Sequence, residues 1–211
     1  MRWPSSDAWV EPLFINHGFR LDSICAFHPL QPFFTTRPIP SPLLRIRSAR
    51  PEDEKSLISL FEQELRFHER YTPFAHNSPQ VLEAFRRKLQ HLWHGISLED
   101  DAPLILVAEQ AREIVAMAEN TLLEVGPYDE PGFTPPGHYW CIDNISVRED
   151  LQGQGIGRLL VQGIEDILAS LQLKLNGYIL WFNPDNPKAA LFWSRLGFQP
   201  MWTTYQRFRN A

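Results

Sequence analysis

The sequence has only two cysteines, Cys25 and Cys141, and neither belongs to a Cys-x-x-Cys pair. A zinc site of the usual spacing and a disulfide framework are therefore excluded, although the two thiols could still form one bridge. No apolar run approaches the roughly 20 residues that span a bilayer. The first five residues also lack the charged and then apolar layout of a secretory signal. We therefore expect a cytoplasmic protein that contains no metal and does not enter a membrane.

Positive charge is not in excess either, since 20 Lys and Arg residues against 25 Asp and Glu residues leave a net charge of -5. A nucleic-acid-binding surface needs clustered positive side chains for the phosphates, so the composition argues against a nucleic acid partner. Hydrophobic residues make up 44% and charged residues 21%, which is typical of a globular protein. A chain of 211 residues is long enough for one full domain and an appendage.

Prolines crowd one short stretch near the N-terminus, at positions 29, 32, 38, 40 and 42. Proline lacks a backbone donor and restricts the residue before it, so this stretch is predicted to be an extended linker of polyproline character. The linker divides the chain into an N-terminal extension, residues 1–42, and a main domain, residues 43–211.

Hydrophobic patterns in the main domain predict a series of strands and helices. The strands are expected at 44–47, 104–109, 114–125, 139–147, 178–182 and 201–208. The helices are expected at about 57–67, 79–95, 155–171 and 187–196. The early strands include a hairpin, and the later strands alternate with helices. This order predicts an α/β fold with a mixed sheet and helices on both faces.

A glycine-rich loop follows the strand that ends at Val147 and leads into an apolar helix. It runs Gln152-Gly153-Gln154-Gly155-Ile156-Gly157-Arg158. The first turn of a helix has unpaired N–H groups and partial positive charge, and glycines let a bulky anion approach the backbone. The loop therefore predicts a diphosphate site, with Arg158 adding a charge-assisted contact. Neither the P-loop nor the dinucleotide fingerprint matches its spacing.

The spacing of Gln152, Gly155 and Gly157 resembles the pyrophosphate loop of the GNAT superfamily of acyl-CoA-dependent N-acetyltransferases. A glycine-rich turn before a helix often serves only packing, so the resemblance to the family depends on a second motif. The run Asn186-Pro187-Lys188-Ala189-Ala190-Leu191-Phe192-Trp193-Ser194-Arg195-Leu196-Gly197-Phe198 resembles the family's NxxAxxLYxxxGF helix. Residues 45–53 also resemble the family's first strand and turn. The chain is identified as a bacterial-type member whose acceptor the sequence does not name.

The resemblance implies a mostly antiparallel sheet that splays between the fourth and fifth strands of the main domain. It implies that the acetyl-pantetheine arm of acetyl-CoA lies in the splay, along the backbone of Ile145, Ser146 and Val147. The whole glycine-rich loop would hold the diphosphate. Asn186 matches a position that often bonds the arm, although asparagine before a proline is also typical of a helix cap.

The implied activity is transfer of the acetyl group to a primary amine of a small molecule or protein, by direct attack. This chemistry needs a base for the ammonium proton. Glu119 and Asp143 are candidates, since a carboxylate in an apolar strand is unfavourable unless it is solvated or paired. Regular alternation would put Asp143 on the same face as Ile145. His138 is a third candidate, because histidine is a common general base near neutral pH.

The resemblance puts Trp193 among the cofactor-binding residues, at the leaving-thiol position where the family often has tyrosine. The acid for the leaving thiolate is therefore uncertain. Indole does not protonate a thiolate at neutral pH. Tyr205 and Tyr178 are candidate substitutes, and the alternative is that water suffices.

A Pro- and Gly-rich loop, residues 126–138, is a candidate lid over the acceptor, with Tyr128 and Phe133 as its aromatic members. Several acidic residues near the expected acceptor cleft would attract a cationic amine, although a solvated rim is the plainer interpretation. They are Glu119, Glu124, Asp129, Glu130 and Asp143.

The N-terminal extension contains a short repeat of the second motif. Phe14 to Phe19 follows the same aromatic-x-x-x-Gly-Phe pattern as Trp193 to Phe198, and a strand is expected next, at 21–28. The extension thus resembles the tail of a second GNAT domain that lacks the diphosphate loop, so it predicts no second cofactor site. Three roles remain open: packing on the main domain, contributing a strand, or forming a homodimer contact.

Two other kinds of function remain as alternatives. A non-catalytic acyl-CoA-binding module of the same fold is favoured by Trp193, which removes the usual acid. An interaction protein is favoured by the aromatic and proline-rich extension.

Overall fold

The computed structural model describes residues 1–34, 36, 44–71, 76–95, 103–128 and 134–207. Within these ranges one sheet of eight strands forms, in the order β1-β8-β2-β7-β6-β5-β4-β3. The strands are β1 (Arg2–Pro4), β2 (Arg20–Pro29), β3 (Leu44–Ser48), β4 (Leu104–Gln110), β5 (Glu113–Val125), β6 (Gly137–Val147), β7 (Gly177–Phe182) and β8 (Gln199–Gln206).

The helices are α1 (Val10–Asn16), α2 (Glu54–His68), α3 (Pro79–Trp93), α4 (Ile156–Leu171) and α5 (Pro187–Arg195). Proline occupies the first position of α3 and of α5, where its missing donor is harmless. Ser78 caps α3 by accepting a hydrogen bond from the Val81 N–H. No helix among the described residues is long and apolar enough to cross a membrane.

Helices cover both faces of the sheet. On one face α4 packs on a core that includes Leu106, Trp140 and Leu180. On the other face α2 and α3 pack on Ile105 and Met117. The predicted fold class, a mixed and mostly antiparallel sheet between helices, is therefore confirmed.

The sheet splays between β6 and β7, its only parallel neighbours among the described strands. The two strands pair only where Tyr139, Trp140 and Cys141 meet Gly177, Tyr178 and Ile179. They are the fourth and fifth strands counted from residue 43, so the predicted position of the splay is confirmed.

A bulge interrupts β6 at Asp143. Glu119 on β5 pairs with Asn144, whereas the next residue, Asn120, pairs with Ile142. Asp143 is thus the extra residue of the bulge. The regular alternation expected from the sequence does not hold here, because an extra residue resets which face the following side chains occupy.

The N-terminal extension contributes strands to the same sheet. β2 lies between β7 and β8 and is antiparallel to both, and β1 pairs with the outer edge of β8. In α1, Phe14 packs against Tyr205 with ring centroids 4.7 Å apart. Contributing a strand was one of the three roles left open. The resemblance of the extension to a second domain, and the division at residue 42, stay predictions.

Candidate active site

A cleft of about 1380 Å³ opens where β6 and β7 separate. One wall is formed by residues 142–147 of β6, the glycine-rich loop and the first turn of α4. The other walls come from α5 and from one side of α2. The cleft therefore brings together the two sequence motifs, which are separated by a helix and a strand along the chain.

The backbone of β6 faces this cleft at Ile145 and Val147. The Arg148 N–H donates to the Val115 carbonyl of β5 over 2.9 Å. Because successive residues of a strand direct their backbone groups to opposite sides, Val147 and Ile145 direct theirs away from β5. The Val147 carbonyl accepts hydrogen bonds from Gln63 Nε2 at 3.1 Å and from Gln152 Nε2 at 3.2 Å.

Ser146 lies between Ile145 and Val147, and its backbone groups point toward β5 instead of away from it. Its partner on β5 is Met117, and its hydroxyl donates to the Leu60 carbonyl of α2 over 3.1 Å. Of the three β6 residues expected beside the pantetheine arm, Ile145 and Val147 offer backbone groups to the cleft. Ser146 instead ties the strand to α2.

The glycine-rich loop adopts a conformation that only glycine tolerates well. Gly153 and Gly155 have φ of 80° and 83°, in the left-handed region. Gly155 precedes α4, and no side chain caps the helix start. The first N–H groups of α4 therefore lack intrahelical partners, and Ile156, Gly157 and Arg158 line the cleft. Gln154 is exposed and does not line it.

Helix α5 closes the cleft from the far side. Asn186 is buried, lines the cleft and caps α5 by accepting a hydrogen bond from the Ala189 N–H at 3.1 Å. Trp193 also lines the cleft, with its ring packed edge-on against Phe192 and Phe198. Gln152 Oε1 accepts a hydrogen bond from Lys188 Nζ, which joins the glycine loop to α5.

The cleft carries positive side chains that are available to an anion. Among the described residues, four cleft-lining cations have no carboxylate partner: Arg70, Arg158, Lys188 and Arg195. Arg66, by contrast, pairs with Glu62. Together with the free start of α4, these cations suit a ligand with several negative charges.

Glu119 lies behind the wall of the cleft. Its side chain points toward the α2 and α3 face, and the residue is 4% exposed. Lys88 Nζ on α3 donates to its Oε1. Burial raises the pKa of the Glu119 carboxyl above its ordinary value, although the Lys88 ammonium opposes this.

Asp143 lines the cleft directly and is exposed at the bulge. Its carboxylate accepts hydrogen bonds from Thr121 Oγ1 at 2.9 Å and from Cys141 Sγ at 3.2 Å. Burial raises the pKa of the Cys141 thiol, which is free and therefore remains a donor. Of the two carboxylates selected from the sequence, Asp143 is the one that a bound molecule can touch.

Three other candidates lie outside the cleft. His138 is near Glu124, with Nε2 and Oε1 3.8 Å apart at the loop end of β6. Tyr205 packs on Phe14, and Tyr178 packs on Phe33.

Of the candidate lid, Asp129, Glu130 and Phe133 lie outside the described residues, and Tyr128 is almost fully exposed.

Sequence reasoning missed the side of α2 that faces the cleft. Glu64 and His68 line it, with Glu64 Oε1 and His68 Nε2 3.3 Å apart. The other carboxylate oxygen, Glu64 Oε2, is buried without a hydrogen-bond partner in the described parts of the chain, and so is Asn144 Oδ1. The i and i+4 spacing of Glu64 and His68 was an available signal for a pair on one face.

Trp181 of β7 was missed as well. It is 41% exposed and lines the cleft. Since Cys141 is the partner of Ile179, continuing this register would bring Trp181 opposite Asp143, where the strands have already separated. These two residues therefore lie at the point where the splay begins.

A mixed sheet that splays beside the glycine-rich start of a helix defines an acyltransferase-like architecture. A family model described as the acetyltransferase (GNAT) family matches residues 60–198, well over half of the chain. The chain belongs to the GNAT acetyltransferase family. This assignment supports acetyl transfer as the general activity. A comparison with curated proteins gives no match.

Several solved structures share the fold. The tetramutant of the BH1408 protein from Bacillus halodurans is 21% identical with a TM-score of 0.60, covering 79% of this chain and 99% of that chain. A possible acetyltransferase from Clostridium difficile 630 is 17% identical with a TM-score of 0.54, covering 80% and 95%. The aminoglycoside N-acetyltransferase AAC(6')-Iy, in complex with CoA, is 12% identical with a TM-score of 0.54, covering 80% and 93%.

Proposed function

We propose that this protein transfers the acetyl group of acetyl-CoA to a primary amine of a small molecule or protein, by direct attack in the cleft between β6 and β7. One observation carries the proposal: the backbone edge of β6 that faces away from β5 and the uncapped start of α4 open into the same cleft. A thioester arm ending in a diphosphate needs both features at once. The CoA held by the neighbour AAC(6')-Iy supports the same cofactor here.

The cofactor would lie along the wall formed by β6 and α4. The diphosphate would accept hydrogen bonds from the N–H groups of Ile156, Gly157 and Arg158, with the helix dipole favouring the negative charge. The arm would follow the backbone of Ile145 and Val147 toward the splay. A β6 N–H directed at the thioester carbonyl oxygen would stabilise the negative charge that develops there during attack.

The reaction forms one C–N bond and breaks one C–S bond. A neutral amine attacks the carbonyl carbon, the tetrahedral intermediate collapses, and the coenzyme leaves as a thiolate. Starting from an ammonium ion, one proton goes to a base before attack and a second leaves the nitrogen as the amide forms. The thiolate takes up one proton, so the net products are the amide, the coenzyme thiol and one proton.

We propose Asp143 as the base, since it lines the cleft at the start of the splay. Glu119 would act only from behind the wall, because Lys88 occupies its carboxylate.

Glu64 and His68 form a second candidate pair for the proton. Their support is the buried Glu64 Oε2, which an ammonium N–H would satisfy together with Asn144 Oδ1. Trp193 cannot donate a proton, so water would protonate the thiolate.

The acceptor would enter beside Trp181. A cationic amine is attracted both by a carboxylate and by the face of an indole ring, and Asp143 and Trp181 provide these groups on the two separating strands.

A cytoplasmic location is part of the same proposal, since Cys25 and Cys141 are both buried free thiols. A homodimer stays a prediction.

The experiment is release of coenzyme thiol from acetyl-CoA in the presence of a panel of primary amines. The proposal expects thiol release above hydrolysis for at least one amine. Glu83→Gln should retain that activity, because Glu83 is an exposed carboxylate of α3 that does not line the cleft. Binding of acetyl-CoA without release by any amine would instead favour the non-catalytic binding module.

A further inference from the structure

The N-terminal extension reaches the same cleft as the cofactor motifs. After β2, Phe33, Phe34 and Thr36 line the cavity beside α4. These residues belong to the stretch that the sequence predicted to be only a linker. Their place in the cavity wall calls for a role in the site itself.

Phe33 fixes this segment to the main domain. Its backbone N–H donates to Glu165 Oε1 of α4 over 2.7 Å. Its ring stacks on Phe198 with centroids 5.6 Å apart and packs on Tyr178 at 4.6 Å. The next residue along the chain is therefore held in a defined position beside α4.

Phe34 meets Arg158 of the first turn of α4. The Arg158 guanidinium carbon lies 4.9 Å from the centroid of the Phe34 ring, and Phe34 is only 8% exposed. Arg158 is exposed to the cleft and has no carboxylate partner within the described ranges. An aromatic face can hold a guanidinium without neutralising its charge, and the N–H groups in its plane remain available to a second partner.

We propose that Phe34 is a positioning residue for the cofactor: it holds Arg158 over its ring so that the guanidinium meets a phosphate group of the coenzyme. A carboxylate in the same place would orient Arg158 but cancel the charge that attracts phosphate. The inference rests on the proposed function for the identity of the ligand. It makes the N-terminal extension a part of the cofactor site rather than an appendage.

The experiment is a double-mutant cycle on coenzyme A binding, measured by calorimetry on the full chain. Arg158→Gln removes the charge, and Phe34→Leu keeps an apolar side chain in the wall but removes the ring. Arg158→Gln should weaken binding about 10-fold, as expected for a charge-assisted bond. Phe34→Leu should weaken it about 3-fold in the native background and leave the affinity unchanged when Arg158 is already Gln.

Two controls separate positioning from a merely structural effect. In an Arg195→Gln background, the Phe34→Leu loss should persist, because Arg195 is another cleft cation and the guanidinium over the Phe34 ring is that of Arg158. Pantetheine, which has no phosphate, should bind all the variants equally well. Phe34→Tyr, which keeps the ring, should retain native affinity, and Phe34→Met replaces the Leu variant if that variant does not fold.

Two outcomes would overturn the proposal. One is that Phe34→Leu lowers the affinity for coenzyme A equally with and without Arg158, and the other is that it lowers the affinity for pantetheine by the same factor. Each would mean that Phe34 lines the cleft without positioning Arg158. The experiment measures binding, so it is independent of turnover. If Phe34 and Arg158 are coupled but no amine is acetylated, the proposed function is wrong and this inference holds. If an amine is acetylated but the two residues are not coupled, this inference is wrong and the proposed function holds.

Discussion

Glu119 in the middle of β5 and Lys88 on α3 form an ion pair whose acidic member is buried and whose basic member is half exposed. The Lys88 ammonium compensates part of the unfavourable effect of burying this carboxylate. Removing the ammonium leaves a buried charge that must become protonated or draw in water.

We therefore expect Lys88→Met to lower the free energy of unfolding by about 1 to 3 kcal/mol at pH 7. Adding Glu119→Gln should restore part of this loss, since an amide needs no counter-charge. Urea unfolding at pH 7 measures both variants. Equal stability of native protein and Lys88→Met would mean that the pair contributes nothing.

The conformation of Gly155 gives a prediction that separates the fold from the cofactor site. Its φ is 83°, and an added Cβ would meet no atom within 4 Å, so Gly155→Ala introduces backbone strain without a clash. We expect a loss of about 1 kcal/mol in unfolding free energy and, because the loop must relax, weaker binding of coenzyme A.

Gly95, at the end of α3, is the matched control for this change. Its φ is 76°, and it too has open space around the Cβ position. Gly95→Ala should lose similar stability in thermal unfolding but bind coenzyme A as the native protein does. If both variants bind equally well, the left-handed glycine loop is not needed for the cofactor.

His28 of β2 predicts an acid-sensitive N-terminal extension. It is buried among Phe33, Tyr178 and Phe198, and its Nδ1 has no hydrogen-bond partner in the described parts of the chain. Burial lowers the pKa of His28 below 6.5. The unfolded chain therefore binds the proton more readily than the folded protein. The contribution of His28 to the free energy of unfolding is complete above pH 6.5 and is lost as the pH falls through 6.5 toward the folded pKa.

The measurement is the unfolding free energy of native protein and His28→Gln between pH 8 and pH 5. One such group contributes a slope of at most about 1.4 kcal/mol per pH unit. The native protein should lose stability faster than the variant below pH 6.5. Parallel curves would show that His28 does not titrate on unfolding.

Asp143 should control the rate of turnover. Asp143→Asn keeps the shape of the side chain but removes the base, so kcat is expected to fall about 100- to 1000-fold while the affinity for coenzyme A stays unchanged. Glu119→Gln should have a smaller effect, because Glu119 does not line the cleft. If Asp143→Asn retains its rate and Glu64→Gln does not, the proton goes to the pair on α2 instead.

Deletion of residues 1–42 should not release a stable main domain. β2 pairs on both edges, with β7 and with β8, and it carries the fully buried Ala26. Its removal leaves β8 without its neighbour in the sheet. We expect the shortened chain to lack a cooperative thermal transition; an unchanged transition temperature would make residues 1–42 dispensable.

Local patterns were enough to predict most elements of the main domain. The alternation and apolar runs located β3 to β8, and Pro79 and Asn186 marked the starts of α3 and α5. The glycine loop and the α5 motif also identified the two sides of the cleft. These features are encoded by neighbouring residues, which is why the sequence was sufficient.

Long-range features could not be obtained in this way. The pattern of β2 suits any antiparallel neighbour, so nothing local indicates that it enters between β7 and β8. The bulge at Asp143 depends on its pairing with β5, and it changed the face expected for that residue. The apolar face of α2 predicts the helix, but it does not single out Glu64 and His68 on the side that faces the cleft.

The most direct test of the central claim is a single-turnover reaction with stoichiometric acetyl-CoA and an excess of an amine selected from the panel. Acetyl transfer predicts that the N-acetylated amine and the coenzyme thiol appear in equal amounts and at the same rate, as measured by mass spectrometry and thiol titration. If every amine leaves acetyl-CoA bound and intact, or yields thiol and free acetate alone, the claim of acetyl transfer to an amine is contradicted.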